Sequence, residues 1–374
     1  MSDQDDVIIA GGGLAGLCNA ISLSRAGLKV HVIEQKSYPV HKVCGEYISN
    51  ETLPFLQSLQ INPDQLNPSK ISKLLISSPS GSTIHLPLDL GGFGLSRYTL
   101  DHFLYKHALG LGARFTLNDR VEQIHFSDDQ FYVRLASGNN YYSKMVIGSY
   151  GKRSNLDKFL KRPFMDKHSP YVGIKYHIRS DFPNDLIALH NFQGGYCGIS
   201  AIENDRYCLC YLSERAKLRE AGSIEELEDT VLKRNPYLRH VFDNSDFLYE
   251  KPLVINEVSF ENKNPVQDHI LMSGDAAGMI TPLCGNGMAM AIHSAKILSE
   301  LIIRYYKSAE FGREHLEHYY QKEWRRLFSG RISRGRYIQR LFGHELISDL
   351  SIQSLRFLPP LARMIVKSTR GKPF

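Results

Sequence analysis

Apolar runs and helical spacing alternate at the start of the chain. Residues 7–10 form a continuous apolar run, typical of a strand buried in a parallel sheet, and a glycine-rich turn follows them. Residues 14–26 carry apolar side chains at helical spacing up to Gly27, and residues 29–34 are the predicted second strand. The pattern predicts a βαβ unit over residues 7–34.

Beyond this unit the chain changes repeatedly between strand-like and helix-like patterns. Residues 74–78 and 83–88 flank a turn of proline, serine and glycine, and they predict a hairpin. Residues 311–374 have a helical pattern that is broken at Pro359 and Pro360. The other predicted strands are residues 121–126, 131–136, 144–149, 171–179, 186–192, 196–202, 206–213 and 270–273, and the other predicted helices are residues 100–111, 224–233 and 287–306.

The glycine turn after the first apolar run has the spacing of a dinucleotide-binding fingerprint. Gly11 permits the tight turn, Gly13 lets a pyrophosphate approach the backbone, and Gly16 lets helix and strand pack closely. The helix that begins here offers free N–H groups to phosphate. Glu34, at the end of the second predicted strand, can accept both hydroxyls of an adenosine ribose. The motif predicts dinucleotide binding without distinguishing FAD from NAD.

A second motif separates these cofactors. A predicted strand runs into Gly274-Asp275, and Pro282 and the turn Gly285-Asn286-Gly287 lead into a predicted helix. This arrangement resembles the flavin-binding motif of the p-hydroxybenzoate hydroxylase superfamily of FAD enzymes. The resemblance implies that Asp275 binds a ribityl hydroxyl and that the helix beginning near Gly287 directs its N–H groups at the flavin, where reduced flavin carries negative charge.

The same resemblance extends to further residues. Arg97, at the start of a predicted helix, is similar to the arginine of the family that reaches toward the ribityl and pyrophosphate groups; a surface arginine is the alternative. Relatives usually carry an aspartate where this chain has Tyr150, so the usual transient NAD(P)H site is in question and the reductant stays open. The resemblance also implies FAD contacts from Leu14, Ala15, Gln35, Lys42, Cys44, Val121, Asn286 and Met288.

The motifs together predict an α/β fold in three parts. The expected architecture is a Rossmann-like FAD-binding domain with an inserted β-rich substrate domain and a C-terminal helical segment. A chain of 374 residues exceeds what one compact core usually holds, which agrees with two lobes. The predicted FAD-binding domain comprises residues 1–73, 96–165 and 265–310, the substrate domain residues 74–95 and 166–264, and the helical region residues 311–374.

The segment from Lys42 to Glu46 resembles the cysteine-glycine-acid segment of the geranylgeranyl reductase branch of this superfamily, which saturates isoprenoid double bonds. The resemblance implies that Cys44 lies beside the isoalloxazine and makes Cys44 and Glu46 candidate catalytic residues. Cys44 as a small residue that fills a tight turn is the alternative. Tyr196 and Tyr211, in the aromatic-rich β region, are candidate substrate contacts, although aromatic stripes are more often core.

Three reactions and one binding role stay open. Reduced FAD could deliver hydride to a double bond of a lipophilic small molecule, as in geranylgeranyl reductases. It could instead react with oxygen, so that a flavin C4a-hydroperoxide hydroxylates a phenolic or other aromatic ring. Halogenation is disfavoured because halogenases carry paired tryptophans in the substrate lobe and the only tryptophan here is Trp324. A flavin-bound protein without turnover is the last alternative.

Composition and charge limit the partners. A net charge of +6 that is dispersed does not indicate nucleic acid, no cysteine pair suggests a metal, and nothing indicates an obligate protein partner. The acidic start and the lack of a long apolar run predict a cytoplasmic protein. Residues 324–344 hold six arginines and no acid, and a basic amphipathic pattern follows them. This region could be a solvated helical cap, an anion site or a peripheral membrane contact.

Overall fold

The computed structural model describes residues 4–167, 169–258, 260–342 and 345–374, and two sheets organise them. In chain order the strands are β1 (Asp5–Ala10), β2 (Val30–Glu34), β3 (Tyr47–Ser49), β4 (Ser69–Ser77), β5 (Thr83–Gly94), β6 (Arg114–Leu117), β7 (Val121–Ser127), β8 (Gln130–Leu135), β9 (Asn140–Gly148), β10 (Tyr171–Arg179), β11 (Leu186–Phe192), β12 (Gly195–Ile202), β13 (Arg206–Glu214), β14 (Asp246–Phe247), β15 (Leu253–Val258), β16 (Val266–Gln267) and β17 (Ile270–Met272). The helices are α1 (Leu14–Arg25), α2 (Leu53–Ser58), α3 (Arg97–Gly110), α4 (Asn155–Phe159), α5 (Arg215–Ala221), α6 (Ile224–Thr230), α7 (Pro236–Asn244), α8 (Gly287–Lys307), α9 (Arg313–Trp324), α10 (Gly330–Phe342), α11 (Glu345–Phe357) and α12 (Pro359–Ser368).

The first sheet carries the predicted βαβ unit. Its order is β16-β17-β9-β1-β2-β6, with β7 and β8 as an antiparallel extension from β9. β1 pairs in parallel with β2 on one side and β9 on the other, so Val7 lies opposite both Val30 and Met145. Val7, Ile8 and Ile9 are fully buried, which explains why this strand reads as an uninterrupted apolar run.

The second sheet has nine strands in the order β14-β10-β13-β12-β11-β4-β5-β3, with β15 beside β10. Most neighbours are antiparallel, and β4 pairs with β11 in parallel. The predicted hairpin is confirmed because β4 and β5 pair antiparallel, with Leu74 opposite Leu86. Hydrogen bonding also places β3 in this sheet, through Tyr47 opposite Gly94. The domain boundaries drawn from the sequence stay a prediction.

The predicted helical C-terminus is confirmed. α8 packs against α1 behind the first sheet, and α9 continues through a π-helical segment, Arg325–Ser329, into α10. α11 ends at Phe357 and α12 begins at Pro359, so the two prolines break the helix as expected. Within the described residues, every helix is too short or too polar to cross a lipid bilayer.

Taken together, the predicted fold class is confirmed: the chain has a Rossmann-like α/β domain, a β-rich second sheet and C-terminal helices. Several elements were missed. They are the strands β3, β6, β14, β15 and β16 and the helices α2, α4, α5 and α7.

Candidate flavin and substrate site

A cavity of about 1140 Å³ lies against both sheets. Its wall includes the glycine turn after β1 at one end and apolar side chains of β11, β12 and β13 at the other. Pockets for one small ligand usually measure about 300–1000 Å³. The volume therefore leaves room for a dinucleotide and a second molecule together.

The glycine turn after β1 has the conformation that a phosphate site needs. Gly11 has φ +102°, and a Cβ there would stand 2.6 Å from the carbonyl oxygen of Ser149, so a larger residue would collide with the backbone. A Cβ on Gly16 would stand 2.1 Å from the carbonyl oxygen of Gly11. Glu34 fixes the turn because its carboxylate accepts hydrogen bonds from the Gly12 amide at 2.8 Å and the Lys36 amide at 3.1 Å.

Two cations flank this turn. Arg97 donates to both carboxylate oxygens of Asp101 at 2.7 Å, and Lys42 Nζ lies 3.2 Å from the same carboxylate. A Cβ on Gly13 would have Arg97 Nη2 and Lys42 Nζ as neighbours at 4.0 Å. Two cations and one carboxylate leave net positive charge at the N-terminus of α1, which suits a pyrophosphate. The surface alternative for Arg97 is wrong because its side chain is 12% exposed.

The second motif also lines the cavity, and a Cβ on Gly274 would lie 2.9 Å from the Ala15 Cβ of the first motif. Asp275 lies on the cavity wall, and burial raises the pKa of its carboxyl. Lys263 Nζ donates to the carbonyl oxygen of Asp275 at 2.8 Å, and burial lowers the pKa of Lys263 to about 8. A hydroxyl-rich chain bound here could donate hydrogen bonds to the Asp275 carboxyl. α8 begins at Gly287 without a side-chain cap, so its first N–H groups are available to an anionic group.

A hydrogen-bond hub at Glu51 fixes the start of α8. Asn286 Nδ2 donates to the Glu51 carboxylate at 3.4 Å and to the Thr369 carbonyl oxygen at 3.1 Å. The same carboxylate accepts from the Gly371 amide at 2.6 Å and pairs with Arg331 at 3.4 Å. The segment after α12 therefore holds the flavin-facing end of α8.

The turn that carries Cys44 is clamped to the second sheet. Lys175 and His177 of β10 contact the Glu46 carboxylate at 2.5 and 2.6 Å, and Glu46 itself is fully buried with φ +56°. Cys208 Sγ donates to the Cys44 carbonyl oxygen at 3.1 Å. Burial raises the pKa of the Cys44 thiol, so it holds its proton at neutral pH.

The partners of Glu46 define what it can do. Burial disfavours its charge, but the Lys175 ammonium and the hydrogen bond with His177 lower its pKa to about 2. Glu46, His177 and Cys208 also place ligand atoms within 4.8 Å of one another, as a metal site would. The Lys175 ammonium already occupies this carboxylate, so the cluster works as an ion pair. Glu46 therefore acts as an anchor for the turn, with Lys175 and His177 as positioning residues that sequence reasoning missed.

Tyr150 stands at the position where relatives usually carry an aspartate, and its side chain is held by hydrogen bonds. Its hydroxyl lies 3.1 Å from Asp157 Oδ1 and 3.3 Å from Arg162 Nη1, and these two residues form a buried ion pair at 3.0 Å. Burial raises the pKa of the phenol, which keeps it neutral. The Tyr150 side chain is thus tied to the protein beside the cavity.

The apolar end of the cavity contains both candidate substrate tyrosines. Tyr211 directs its hydroxyl away to Glu228 Oε1 at 2.6 Å, an acid whose pKa is raised by burial. The Tyr196 hydroxyl is buried without a partner among the described residues. Of these two hydroxyls, that of Tyr196 is thus the one whose hydrogen-bonding capacity is unused among the described residues.

The structure brings the predicted site residues together. Gly16 lies behind the turn, and the other predicted residues line the cavity: Gly11, Gly13, Leu14, Ala15, Glu34, Gln35, Lys42, Cys44, Glu46, Arg97, Val121, Tyr196, Tyr211, Gly274, Asp275, Pro282, Gly285, Asn286, Gly287 and Met288. Motifs that are far apart in the sequence come close in space because β1, β9 and β17 are neighbours in one sheet. Lys175, His177 and Lys263 carry no local signal that could have placed them here.

The fold and the cofactor cradle define a flavoprotein, and family comparison agrees. Residues 4–330 match the family described as FAD binding domain, so the chain belongs to that family. It is an FAD-dependent oxidoreductase, and the resemblance inferred from the motifs is confirmed.

Named relatives and solved structures resemble the chain over most of its length. Digeranylgeranylglycerophospholipid reductase 2 of Methanopyrus kandleri is 25% identical over 86% of this chain and 83% of the relative. The Methanosarcina acetivorans digeranylgeranylglycerophospholipid reductase is 25% identical over 87% and 81%. Among structures, Pseudomonas aeruginosa PqsL in complex with 2-aminobenzoylacetate has TM-score 0.75 at 19% identity over 92% of this chain and 98% of PqsL. The flavin-dependent halogenase CmlS has TM-score 0.73 at 19% identity over 89% of this chain, which spans 63% of CmlS.

Proposed function

We propose that this oxidoreductase reduces a carbon–carbon double bond in a lipophilic, isoprenoid-type molecule. The observation that carries the proposal is one continuous cavity that joins the dinucleotide cradle to an apolar chamber and has the Cys44 turn in its wall. The relatives named digeranylgeranylglycerophospholipid reductase support the same substrate class.

The residues of the site suit such a reduction. Saturating a double bond requires a hydride on one carbon and a proton on the other. Bound reduced FAD supplies the hydride. The Cys44 thiol keeps its proton at neutral pH and lies on the cavity wall, so it is the candidate proton donor. The apolar chamber, which includes Ile187, Leu189 and Leu212, would hold the hydrocarbon and exclude water.

Hydroxylation of an aromatic ring is the second candidate. Its support is the fold shared with PqsL and the unpartnered Tyr196 hydroxyl, which could hold a polar ring substituent. The two reactions differ in what the product gains. A reductase adds two hydrogens for each saturated bond and works without oxygen, whereas a hydroxylase adds an oxygen atom and requires air.

Product mass therefore tests the proposal. Chemically reduced protein is incubated with a geranylgeranylated lipid, with and without oxygen, and products are analysed by mass spectrometry. We expect hydrogen addition under anaerobic conditions, and wild-type apoprotein from which FAD has been removed serves as control. Oxygen addition to an aromatic substrate, with no hydrogen addition to any prenylated lipid, would overturn the reductase proposal.

The electron donor is a separate proposal. We expect NADPH to reduce the flavin slowly, because Tyr150 stands at the position where relatives carry an aspartate and its hydroxyl is tied to Asp157 and Arg162. Stopped-flow absorbance measures the rate, with dithionite as the reference reductant. Rapid reduction by NADPH that substrate accelerates would contradict this expectation and favour the hydroxylase.

A further inference from the structure

The outer face of α11 and α12 exposes large apolar side chains. Phe357 is 82% exposed, the highest value among the large apolar residues of the described chain. In the same region Leu350 and Met364 are 65% and 61% exposed, and Leu358 and Leu361 are 52% and 39% exposed. Leu350 and Phe357 are seven residues apart on one helix, and Leu361 and Met364 are three apart on the next, so each pair shares a helix side. We refer to these five residues as the outer apolar face.

The opposite side of the same helices is buried in an apolar cluster that extends to the cavity. Ile352 and Ala362 are buried in an apolar cluster that also contains Tyr196, Leu212 and Met279, which line the cavity. α11 and α12 both contact β5 and therefore form a layer that covers the exterior side of this cluster. This layer is apolar on both sides, which a cap that only faced water would not need.

Basic side chains accompany the outer apolar face. Arg356, Arg363 and Lys367 are exposed, and residues 350–374 contain no aspartate or glutamate. Asp349, just before this stretch, accepts a hydrogen bond from Ser80 Oγ at 2.5 Å. The patch thus combines apolar side chains with net positive charge.

The earlier arginine-rich segment is used differently. Arg331 pairs with the buried Glu51, Arg334 donates to the Ser368 carbonyl oxygen at 2.9 Å, and Arg336 donates to Asn262 at 2.7 Å. Arg331 and Arg336 thus hold the helical region to the rest of the protein, and Arg334 joins α10 to α12. The exposed cations that accompany the outer apolar face are Arg356, Arg363 and Lys367.

We propose that the outer apolar face docks on an anionic lipid bilayer. Apolar side chains would enter the boundary between headgroups and acyl chains, while Arg356, Arg363 and Lys367 contact anionic headgroups. The apolar cluster below them extends to residues that line the cavity, so a lipophilic substrate would have an apolar route between bilayer and cavity. The identity of the substrate depends on the function proposed above, whereas the docking itself does not.

Vesicle flotation with the full, FAD-loaded chain tests the docking. Vesicles contain phosphatidylcholine alone or with phosphatidylglycerol, and no substrate is present. We expect binding to the anionic vesicles at low salt and weaker binding at high salt, because salt screens the headgroup attraction. Phe357→Ser/Leu361→Ser should lose about tenfold or more in binding. Arg356→Gln/Arg363→Gln/Lys367→Gln should lose about fivefold for each charge removed.

A matched variant controls for general loss of surface hydrophobicity. Leu90→Ser/Leu109→Ser removes two leucines that are 39% and 42% exposed outside the patch, and it should bind vesicles like the wild type. Flavin content and thermal stability confirm that each variant is folded. The charge variant leaves the packing unchanged, so it remains informative where the apolar variant is unstable.

Each outcome has a defined meaning. The proposal would be overturned if the wild-type protein did not bind anionic vesicles at low salt. So would a dimer in solution that Phe357→Ser/Leu361→Ser converts to monomer without any vesicle binding, since the face would then be an interface between copies. Vesicle binding without any reduction of prenylated lipid would retain the docking and reject the proposed reaction.

Discussion

Lys175 Nζ lies 2.5 Å from Glu46 Oε1, and both side chains are completely buried. The pair joins β10 of the second sheet to the turn that carries Cys44. His177 reinforces it from the same strand at 2.6 Å. The position of Cys44 in the cavity wall is thus set from the β-rich sheet.

Removing the cation of this pair should destabilise the protein strongly. Lys175→Met leaves the Glu46 carboxylate buried without its main counter-charge, and we expect a loss of about 3–5 kcal/mol in the free energy of unfolding. Lys73→Met is the matched control, because the pair of Lys73 with Asp185 is exposed and contributes about 0–1 kcal/mol. Chemical denaturation measures both. Lys175→Met/Glu46→Gln should be more stable than Lys175→Met alone, and equal losses in Lys175→Met and Lys73→Met would contradict the assignment.

The same carboxylate makes stability depend on pH. The pKa of Glu46 falls from 4.5 to about 2 because Lys175 and His177 outweigh burial, which acts in the opposite direction. Since the folded-state pKa is the lower one, Glu46 stabilises the fold above about pH 4.5, and this contribution disappears as pH falls toward 2. We expect the unfolding free energy of the wild type to decline more steeply from about pH 5 to 3 than that of Lys175→Met/Glu46→Gln. Parallel slopes would show that Glu46 is not the titrating group.

Cys44 should affect turnover more than folding. Cys44→Ser conserves size and leaves the hydrogen bond from Cys208 to the backbone in place, so stability should change by less than about 1 kcal/mol. A hydroxyl is a far weaker acid than a thiol, so the rate should drop about a hundredfold if the thiol donates the proton. Cys210→Ser, at another cavity-lining cysteine, is the control and should retain activity. An unchanged rate in Cys44→Ser would make Cys44 a space-filling residue.

Asp275 and Glu34 should each contribute to FAD binding, at opposite ends of the cofactor. Losing a hydrogen bond to a charged group costs about 1.5–3 kcal/mol, so Asp275→Ala should weaken FAD binding about tenfold to a hundredfold. Glu34→Ala should weaken FAD similarly and also weaken AMP, which occupies only the adenosine end. Fluorescence titration of the apoprotein measures both ligands, with Asp129→Ala as a surface control. If Asp275→Ala weakened AMP as much as FAD, the orientation of the cofactor would be reversed.

Local patterns in the sequence were sufficient for the cofactor cradle. The strand before the glycine turn is buried on both faces, so residues 7–10 appear as an apolar run, and Gly11 has the positive φ that its turn needs. Both flavin motifs consist of residues that are close in sequence. Their meeting in one cavity follows from the parallel order of β1, β9 and β17.

Long-range contacts could not be predicted in this way. Lys175 lies 129 residues from Glu46, within a strand that was predicted correctly, yet no pattern in that strand indicates which carboxylate it meets. β3 has only three residues, too few to display strand alternation. Similarly, the arginine-rich segment carried no sign that Arg331 would meet Glu51.

The hydrogen bond from Asn286 to the Thr369 carbonyl oxygen has a consequence for biosynthesis. The side-chain amide of Asn286, the residue just before α8, receives this partner only after residue 369 has left the ribosome. Chains grow from the N-terminus at about 5–20 residues each second, and earlier parts begin to fold first. The two sheets can therefore assemble while the flavin-facing end of α8 is still incomplete. Stable retention of FAD is accordingly an event that follows translation of the helical region.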